Sequence, residues 1–245
     1  MLPEIHLQGN IDVVAKSPLL RGMVLSISYA EQNGGIGLTP SGAMNRKFVD
    51  WAAGNFLWPD YTREELYSVN KVLNEGDMPP LWPVRHMSQR LKLLRKDGNL
   101  LVPTKRGRSF LANPGSEFEV IVSNYLYSYV DRFERAIDVR ERLHMWEPLL
   151  PLLDVEAARG CSPTDVLVAL YPELGLLSET QMALQTWDLR TELKYGFLRR
   201  LCWIGLLYEQ RQGLTLLQDG VYYKTPLWSE SFRFHRDDQK ELVRH

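Results

Sequence analysis

The stretch 85–108 reads RHMSQRLKLLRKDGNLLVPTKRGR and carries eight Lys/Arg against one acid, Asp97. Its spacing predicts a helix over Ser88 to Lys96, with Leu91, Leu94 and Met87 turned inward. On such a helix Arg85, Gln89, Lys92 and Lys96 share one side at three- and four-residue steps. Gly98 then permits a turn, Leu100-Leu101-Val102 reads as a short apolar strand, and Thr104-x-x-Gly107 reads as the start of the next helix.

A second segment has the same plan. Arg90-Leu91-x-x-Leu94-x-x-x-Gly98-x-Leu100-Leu101 is matched by Leu198-x-x-Leu201-x-x-x-Gly205-Leu206-Leu207, with Leu214-Thr215 following as Thr104 follows the first. Two copies argue for a repeated architectural unit. Gly37-Leu38-Thr39-Pro40-Ser41-Gly42 is a partial third echo, without the upstream helix.

Most of the remaining chain is helical in pattern. Pro18-Leu19-Leu20 is a helix start. Thr39-Pro40, a cap followed by proline, predicts a helix to about Ala53. Thr62-x-x-Glu65 is a capping box opening a helix toward Leu73, closed by Gly76, Pro79-Pro80 and Pro83. The longest helical stretch runs from Glu117 to about Trp146, and Pro148 and Pro151 are expected to break the segment after it. Ser162-Pro163 and Ser178-x-x-Gln181 open two more helices, the second through Leu189. Another spans Arg190 to Ile204, ended by Gly205. A hairpin is expected from Leu206–Glu209, a turn at Arg211-Gln212-Gly213 and Leu214–Leu217, with Val221-Tyr222-Tyr223 extending it or opening a terminal element.

These elements define a mainly α fold with short β-hairpins, in which a helix, a hairpin and a following helix form a winged-helix-like unit. Two such units are expected, joined by a long helix. The division is an N-terminal arm at 1–18, a first unit at 19–113, connecting helices at 114–160, a second unit at 161–228 and a charged tail at 229–245. Leu38-Thr39-Pro40-Ser41-Gly42-Ala43-Met44, with the Pro18-Leu19-Leu20 start before it and Tyr223-Lys224-Thr225-Pro226-Leu227-Trp228 near the end, resembles a family of plasmid open-reading-frame proteins with winged-helix-like regions. Ala43-Met44 stands where that family has asparagine-leucine. The resemblance implies a bacterial, mobile-element setting and no particular chemistry.

Composition is that of an ordinary globular chain, 44% hydrophobic and 24% charged over 245 residues, with a net charge of −1. The small net charge hides blocks: −3 over 1–84, +7 over 85–110, −8 over 111–188 and +3 over 189–245. Such blocks bear on partners rather than on fold. No apolar run reaches the roughly 20 residues that span a bilayer, so no membrane partner is expected. The start of the chain lacks a basic, then apolar, signal pattern. Two cysteines, Cys161 and Cys202, are too few for a disulfide framework or a zinc site, and a reducing cytoplasm is the expected location.

The basic stretch is the candidate site, and DNA the expected partner. Gln89 or Arg90 could read a base edge, while Lys92, Arg95 and Lys96 meet phosphates. Lys105, Arg106 and Arg108, at the following helix start, suit phosphates as well, and Arg85 completes the set. The plainer alternatives are a solvated basic face or neutralisation by the acidic 111–188 block. In the second unit Arg190, Lys194, Arg199, Arg200 and Arg211 are interleaved with large apolar groups, which points to a structural or dimerising role. A regulator that binds DNA and a protein-interaction module (toxin, inhibitor or adaptor) on the same scaffold are the two readings. No cofactor or metal site is expected, and enzyme signals are poor. The five histidines are isolated, and Glu192-x-Lys194, with Asp165 or Asp188 upstream, has a metal-nuclease spacing that chance often produces. An exposed Trp58 or Trp82 would mark a protein interface.

Overall fold

The structure, a computed structural model, describes residues 12–130, 139–211 and 220–232. The described chain is mainly helical with short antiparallel strand pairs, as the sequence patterns predict. It divides into two compact units, Asp12–Tyr125 and a second that takes over at Leu126.

In the first unit a short helix α1 (Val13–Lys16) leads into α2 (Pro18–Asn33). Ser17 caps α2, accepting from Leu20 N–H at 3.3 Å, and Pro18 fills the first helical position where its missing N–H costs nothing. Leu19, Leu20, Met23, Ile27 and Ala30 are all fully buried, so α2 is the axis of this core. It packs on the later helix of the basic stretch, and Gly22 permits the approach: a Cβ there would meet Val84 Cγ2 at 2.9 Å.

Strand β1 (Ile36–Gly37) follows, and then the first departure from expectation. Thr39-Pro40 does not open a helix. The chain turns through Gly42 at φ 83°, a Leu38–Met44 bridge closes the loop, and α3 (Arg46–Asn55) starts at the better cap Asn45, whose Oδ1 accepts from Phe48 N–H at 2.9 Å. Helix α4 (Arg63–Val69) has the expected capping box between Thr62 and Glu65 but ends before Leu73, and a 3₁₀ turn follows at Glu75–Asp77.

The decisive departure is in the basic stretch itself. Helix α5 runs over Leu81–Arg90, and the chain then forms β2 (Leu94–Asp97) and β3 (Leu100–Pro103). Residues 92–96 are therefore not helical. Pairing of β2 with β3 buries Leu94, as it does Leu101, in place of a further helical turn. Lys92 makes the corner at φ 57°. The two-residue turn Gly98-Asn99, with Gly98 at φ 57°, joins strands in register Leu94↔Pro103, Arg95↔Val102, Lys96↔Leu101 and Asp97↔Leu100. The sheet order is β1-β3-β2, all antiparallel. Thr104 caps α6 (Lys105–Ala112), and α7 (Phe118–Tyr127) buries Phe118, Ile121, Val122 and Tyr125.

The expected long helix over 117–146 is not continuous. Residues 128–130 are non-helical, and α8 (Val139–Glu156) is a separate helix. Pro148 and Pro151 do not break α8. Both lie on its exposed side, where carbonyls that lose a partner face water, while Trp146, Leu149, Leu150 and Leu153 keep a fully buried stripe. Ser162 and Asp165 form a capping box for α9 (Pro163–Leu170). Ser178 and Gln181 do so for α10 (Glu179–Gln185). That helix stops at Thr186, and α11 (Trp187–Glu192), a π turn at Leu193–Leu198 and α12 (Arg199–Ile204) carry the chain to Gly205 at φ 91°. Strand β4 (Leu207–Gln210) pairs with β5 (Val221–Lys224), and α13 (Pro226–Ser231) follows. The return strand expected at 214–217 lies outside the described residues, as does the tail from 233; the described partner of β4 is the 221–223 segment expected to extend the hairpin.

The two units share one element order: helix, strand or bridge, further helices, hairpin, helix. Cys161, bridged to Tyr222 of β5, occupies in the second unit the place β1 has beside β3. The match extends to single hydrogen bonds. Leu93 N–H donates to Ser88 O at 2.8 Å, and Leu206 N–H to Leu201 O at 2.8 Å. Thr104 N–H donates to Leu93 O, and Thr225 N–H to Leu206 O, both at 3.0 Å. Thr104 Oγ1–H donates to Lys92 O, and Thr225 Oγ1–H to Gly205 O, both at 2.6 Å. The repeat is real, but its register places Gly205 opposite Lys92, not opposite Gly98 as the leucine spacing suggests.

Candidate nucleic-acid interface

The cations of the basic stretch fall into three groups by surroundings. Arg85 is held inside: its Nη1 donates to both oxygens of Glu75 at 3.1 Å, and its Nε to Gln89 Oε1 at 3.4 Å. Glu75 is buried and also accepts from Met44 N–H at 2.7 Å, so it locks the start of α3 to α5. Removing Arg85 from this arrangement would leave a buried carboxylate uncompensated, so it is not available to a ligand.

A second group makes exposed polar contacts. Arg90 donates to Asn124 Oδ1 at 3.0 Å, Arg95 to Asp97 at 3.0 Å, Arg106 to Glu117 at 2.8 Å, and Arg108 to Glu31 at 2.8 Å. Glu117 belongs to the start of the acidic block, so part of the expected neutralisation does occur within this unit, at Arg106. Exposed ion pairs contribute only about 0–1 kcal/mol, and a phosphate can displace them.

The third group is Lys92, Lys96 and Lys105, all exposed, with no ion-pair partner among the described residues. Lys92 and Lys105 are brought to one place by Thr104, whose hydroxyl and N–H bind the carbonyls of Lys92 and Leu93. Gly107 makes this approach possible, because a Cβ there would collide with the Leu93 carbonyl. Lys96 lies further along β2. So Arg85, Gln89, Lys92 and Lys96 do not share a helix side; the corner and the hairpin separate them. The exposed part of α5 is limited to His86 and Arg90, with Gln89 half-buried, because Leu81 to Val84, Met87 and Ser88 are buried. Partial burial of its ring, and then the charge of Arg90, hold the His86 pKa below the usual histidine value.

The left-handed corner at Lys92, a residue already expected to meet phosphate, is the feature the sequence pattern does not show. A non-glycine residue in the left-handed region is uncommon, and the matching corner of the second unit uses glycine. The signal was present as Lys92 against Gly205, but only the correct register reveals it.

The second unit handles its cations differently. Arg200, 2% exposed, and Arg142, 3% exposed, both donate to Tyr129 O, at 2.8 and 2.9 Å. Lys194 and Arg211 face Glu209 at 3.9 and 3.4 Å, and Arg199 lies between the rings of Tyr195 and Trp203 at 4.9 and 4.8 Å. Glu192 and Lys194 sit on helical turns, without the strand context a metal nuclease needs. Trp58 and Trp82 are buried, while Trp187 is 62% exposed, beside Leu184 at 77% and Leu189 at 41%.

The molecule is thus a protein of two similar helix–hairpin units, one with an open cationic corner and one in which Lys194, Arg199, Arg200 and Arg211 are engaged internally. Two family models match it, the Y4jL N-terminal domain over residues 15–116 and the y4jL C-terminal domain over residues 136–226. The chain is 50% identical over 200 residues to "Uncharacterized protein y4jL" of Sinorhizobium fredii, covering 82% of this chain and 91% of that one. It belongs to the y4jL family. No solved structure matches it. No helix among the described residues is long and apolar enough to cross a membrane.

Proposed function

We propose that the first unit is a winged-helix module that binds duplex DNA, and that the protein acts as a regulator on a bacterial mobile element, in the cytoplasm. The order helix, strand, helices, hairpin and helix, with sheet order β1-β3-β2, supports the winged-helix reading. A relative from a bacterium supports the bacterial part of that setting. The observation that carries the DNA reading is Lys92: an exposed cation kept at a left-handed corner where the companion unit has glycine. Backbone strain of this kind concentrates at functional positions. Lys96 and Lys105 extend the cationic surface, and the exposed Arg95, Arg106 and Arg108 can exchange carboxylate for phosphate.

The test is binding of the full chain to random-sequence duplex across a salt series. Affinity is expected to fall steeply with salt, and each of Lys92→Ala, Lys96→Ala and Lys105→Ala to reduce the log–log salt slope by about 1. Absence of binding at low salt overturns the reading.

A second reading, a protein-interaction role for the second unit, is favoured by exposed Leu184, Trp187 and Leu189. Exposed large apolar side chains of this kind can serve association, with a second copy of the chain as one occupant. Light scattering on wild type and Trp187→Ser separates a self-associating protein from a monomer.

A further inference from the structure

In a winged helix the helix before the hairpin is the usual reader of bases, and here α5 is poorly placed for it. Its first turn, Leu81 to Val84, is buried. Arg85 is fixed on Glu75 and engages Gln89, and Arg90 rests on Asn124. What remains is one polar turn at the C-terminal end.

The hairpin has the opposite character. Every residue from Arg95 to Asn99 is exposed. Its tip is narrow, since Gly98 has no side chain and open space where a Cβ would be. It is also held in place: β3 is paired on both sides, and Leu38 N–H donates to Asn99 O at 2.7 Å, which fastens the turn to the sheet. A fixed, narrow, cationic projection loses little freedom on binding. Arg95 and Asp97 lie on the same face of β2, two residues apart, and meet at 3.0 Å with side chains 59% and 57% exposed. Such a pair is weak in water, yet Asp97 both occupies the guanidinium and repels phosphates.

We infer that base selection falls to Arg95 of the hairpin, inserted into the narrow minor groove of A·T-rich duplex DNA, with Asp97 as an internal competitor for its guanidinium. This rests on the duplex-binding reading above. A narrow A·T minor groove has an enhanced negative potential that draws arginine in. Entry of Arg95 exchanges the Asp97 carboxylate for the acceptors on the groove floor, so each binding event breaks the Arg95–Asp97 contact. The selectivity is for A·T against G·C, because the minor groove offers little more to read.

The experiment is fluorescence anisotropy of the full chain on two labelled duplexes, one with a central A-tract and one with a G·C core, over a salt series. Wild type is expected to prefer the A-tract duplex. Arg95→Ala should weaken that complex about tenfold and level the preference, and Arg95→Lys should keep the salt slope while losing the preference. Asp97→Asn should tighten binding roughly three- to tenfold, as expected when a like charge near phosphates is removed. Gln89→Ala should leave the preference within about twofold. Both hairpin positions are exposed, and circular dichroism checks that the variants are folded. Salt-dependent binding whose preference survives Arg95→Ala, or is lost in Gln89→Ala, overturns the assignment to the hairpin and leaves duplex binding standing. Equal binding of both duplexes by wild type does the same. Failure of wild type to bind either duplex at low salt overturns both.

Discussion

The corner at Lys92 and the corner at Gly205 are built by the same hydrogen bonds and differ in what they present. In each, a threonine hydroxyl binds the carbonyl of the left-handed residue at 2.6 Å, and its N–H binds the next carbonyl at 3.0 Å. In the second unit the turning residue is glycine, which presents no side chain, and Lys194 and Arg211 face Glu209. In the first, the turning residue is a lysine with its amine in solvent. The same backbone device therefore serves two ends, and the comparison separates what the fold requires from what has been added to it.

The largest expected effect concerns how closely the next helix approaches the corner. In the first unit the cap reaches Gly107 N–H at 3.0 Å, and α6 lies against the Leu93 carbonyl; in the second the cap reaches Leu227 N–H at 3.2 Å, one residue earlier. Gly107→Ala forces a Cβ into backbone and should cost about 3 kcal/mol, read by urea denaturation. A loss below 1 kcal/mol would mean that α6 can withdraw and that the two corners are less alike than their hydrogen bonds imply.

Next is the threonine. Thr104→Val and Thr225→Val each remove the 2.6 Å bond and the helix cap, and each should cost about 1–2 kcal/mol. Similar losses at the two sites confirm energetic equivalence; a twofold disparity breaks it.

Exchange of the turning residues should act in opposite directions. Lys92→Gly is expected to stabilise the protein by about 0.5–1 kcal/mol while weakening duplex binding, and Gly205→Lys to destabilise it by about 1–2 kcal/mol. A gain in stability with unchanged binding would show that Lys92 is not kept for a ligand.

The smallest effect separates the helices before the corners. The shared register sets His86 in the place of Arg199. His86, unlike the group in that place, is a histidine, and its pKa is lowered by burial and then by the charge of Arg90. A lowered folded-state value means that stability is present above the ordinary histidine range, near 6.5, and is lost as pH falls through the folded value. Thermal unfolding should therefore show a Tm decline below about pH 6.5 that His86→Gln diminishes. A parallel decline in both proteins would assign the pH dependence to other groups.

Much of this was legible in local chemistry. Thr62 with Glu65, Ser162 before Pro163, Ser178 with Gln181, and Thr104 before Lys105 are caps that need only neighbouring residues, and each one starts a helix where expected. The hairpin at 94–103 was half legible. Leu100-Leu101-Val102 reads as a strand, but Leu91 and Leu94, three residues apart, fit a helix equally well. Pairing with β3, not local spacing, ends α5 at Arg90. The prolines of α8 show the same limit, since proline stops a helix only where burial does not outweigh its lost hydrogen bond.

By itself the sequence determined a mainly helical chain, a repeated helix–hairpin unit, and a cationic island at 85–108, because capping, periodicity and charge are local properties. The tertiary structure alone decided the register of the repeat and which cations stay open to a partner. Strand pairing fixed the corner at Lys92, and carboxylates on other elements, Glu31, Glu75 and Glu117, engaged Arg108, Arg85 and Arg106. Both depend on how separate elements fold against one another, which cap chemistry and helical spacing do not encode.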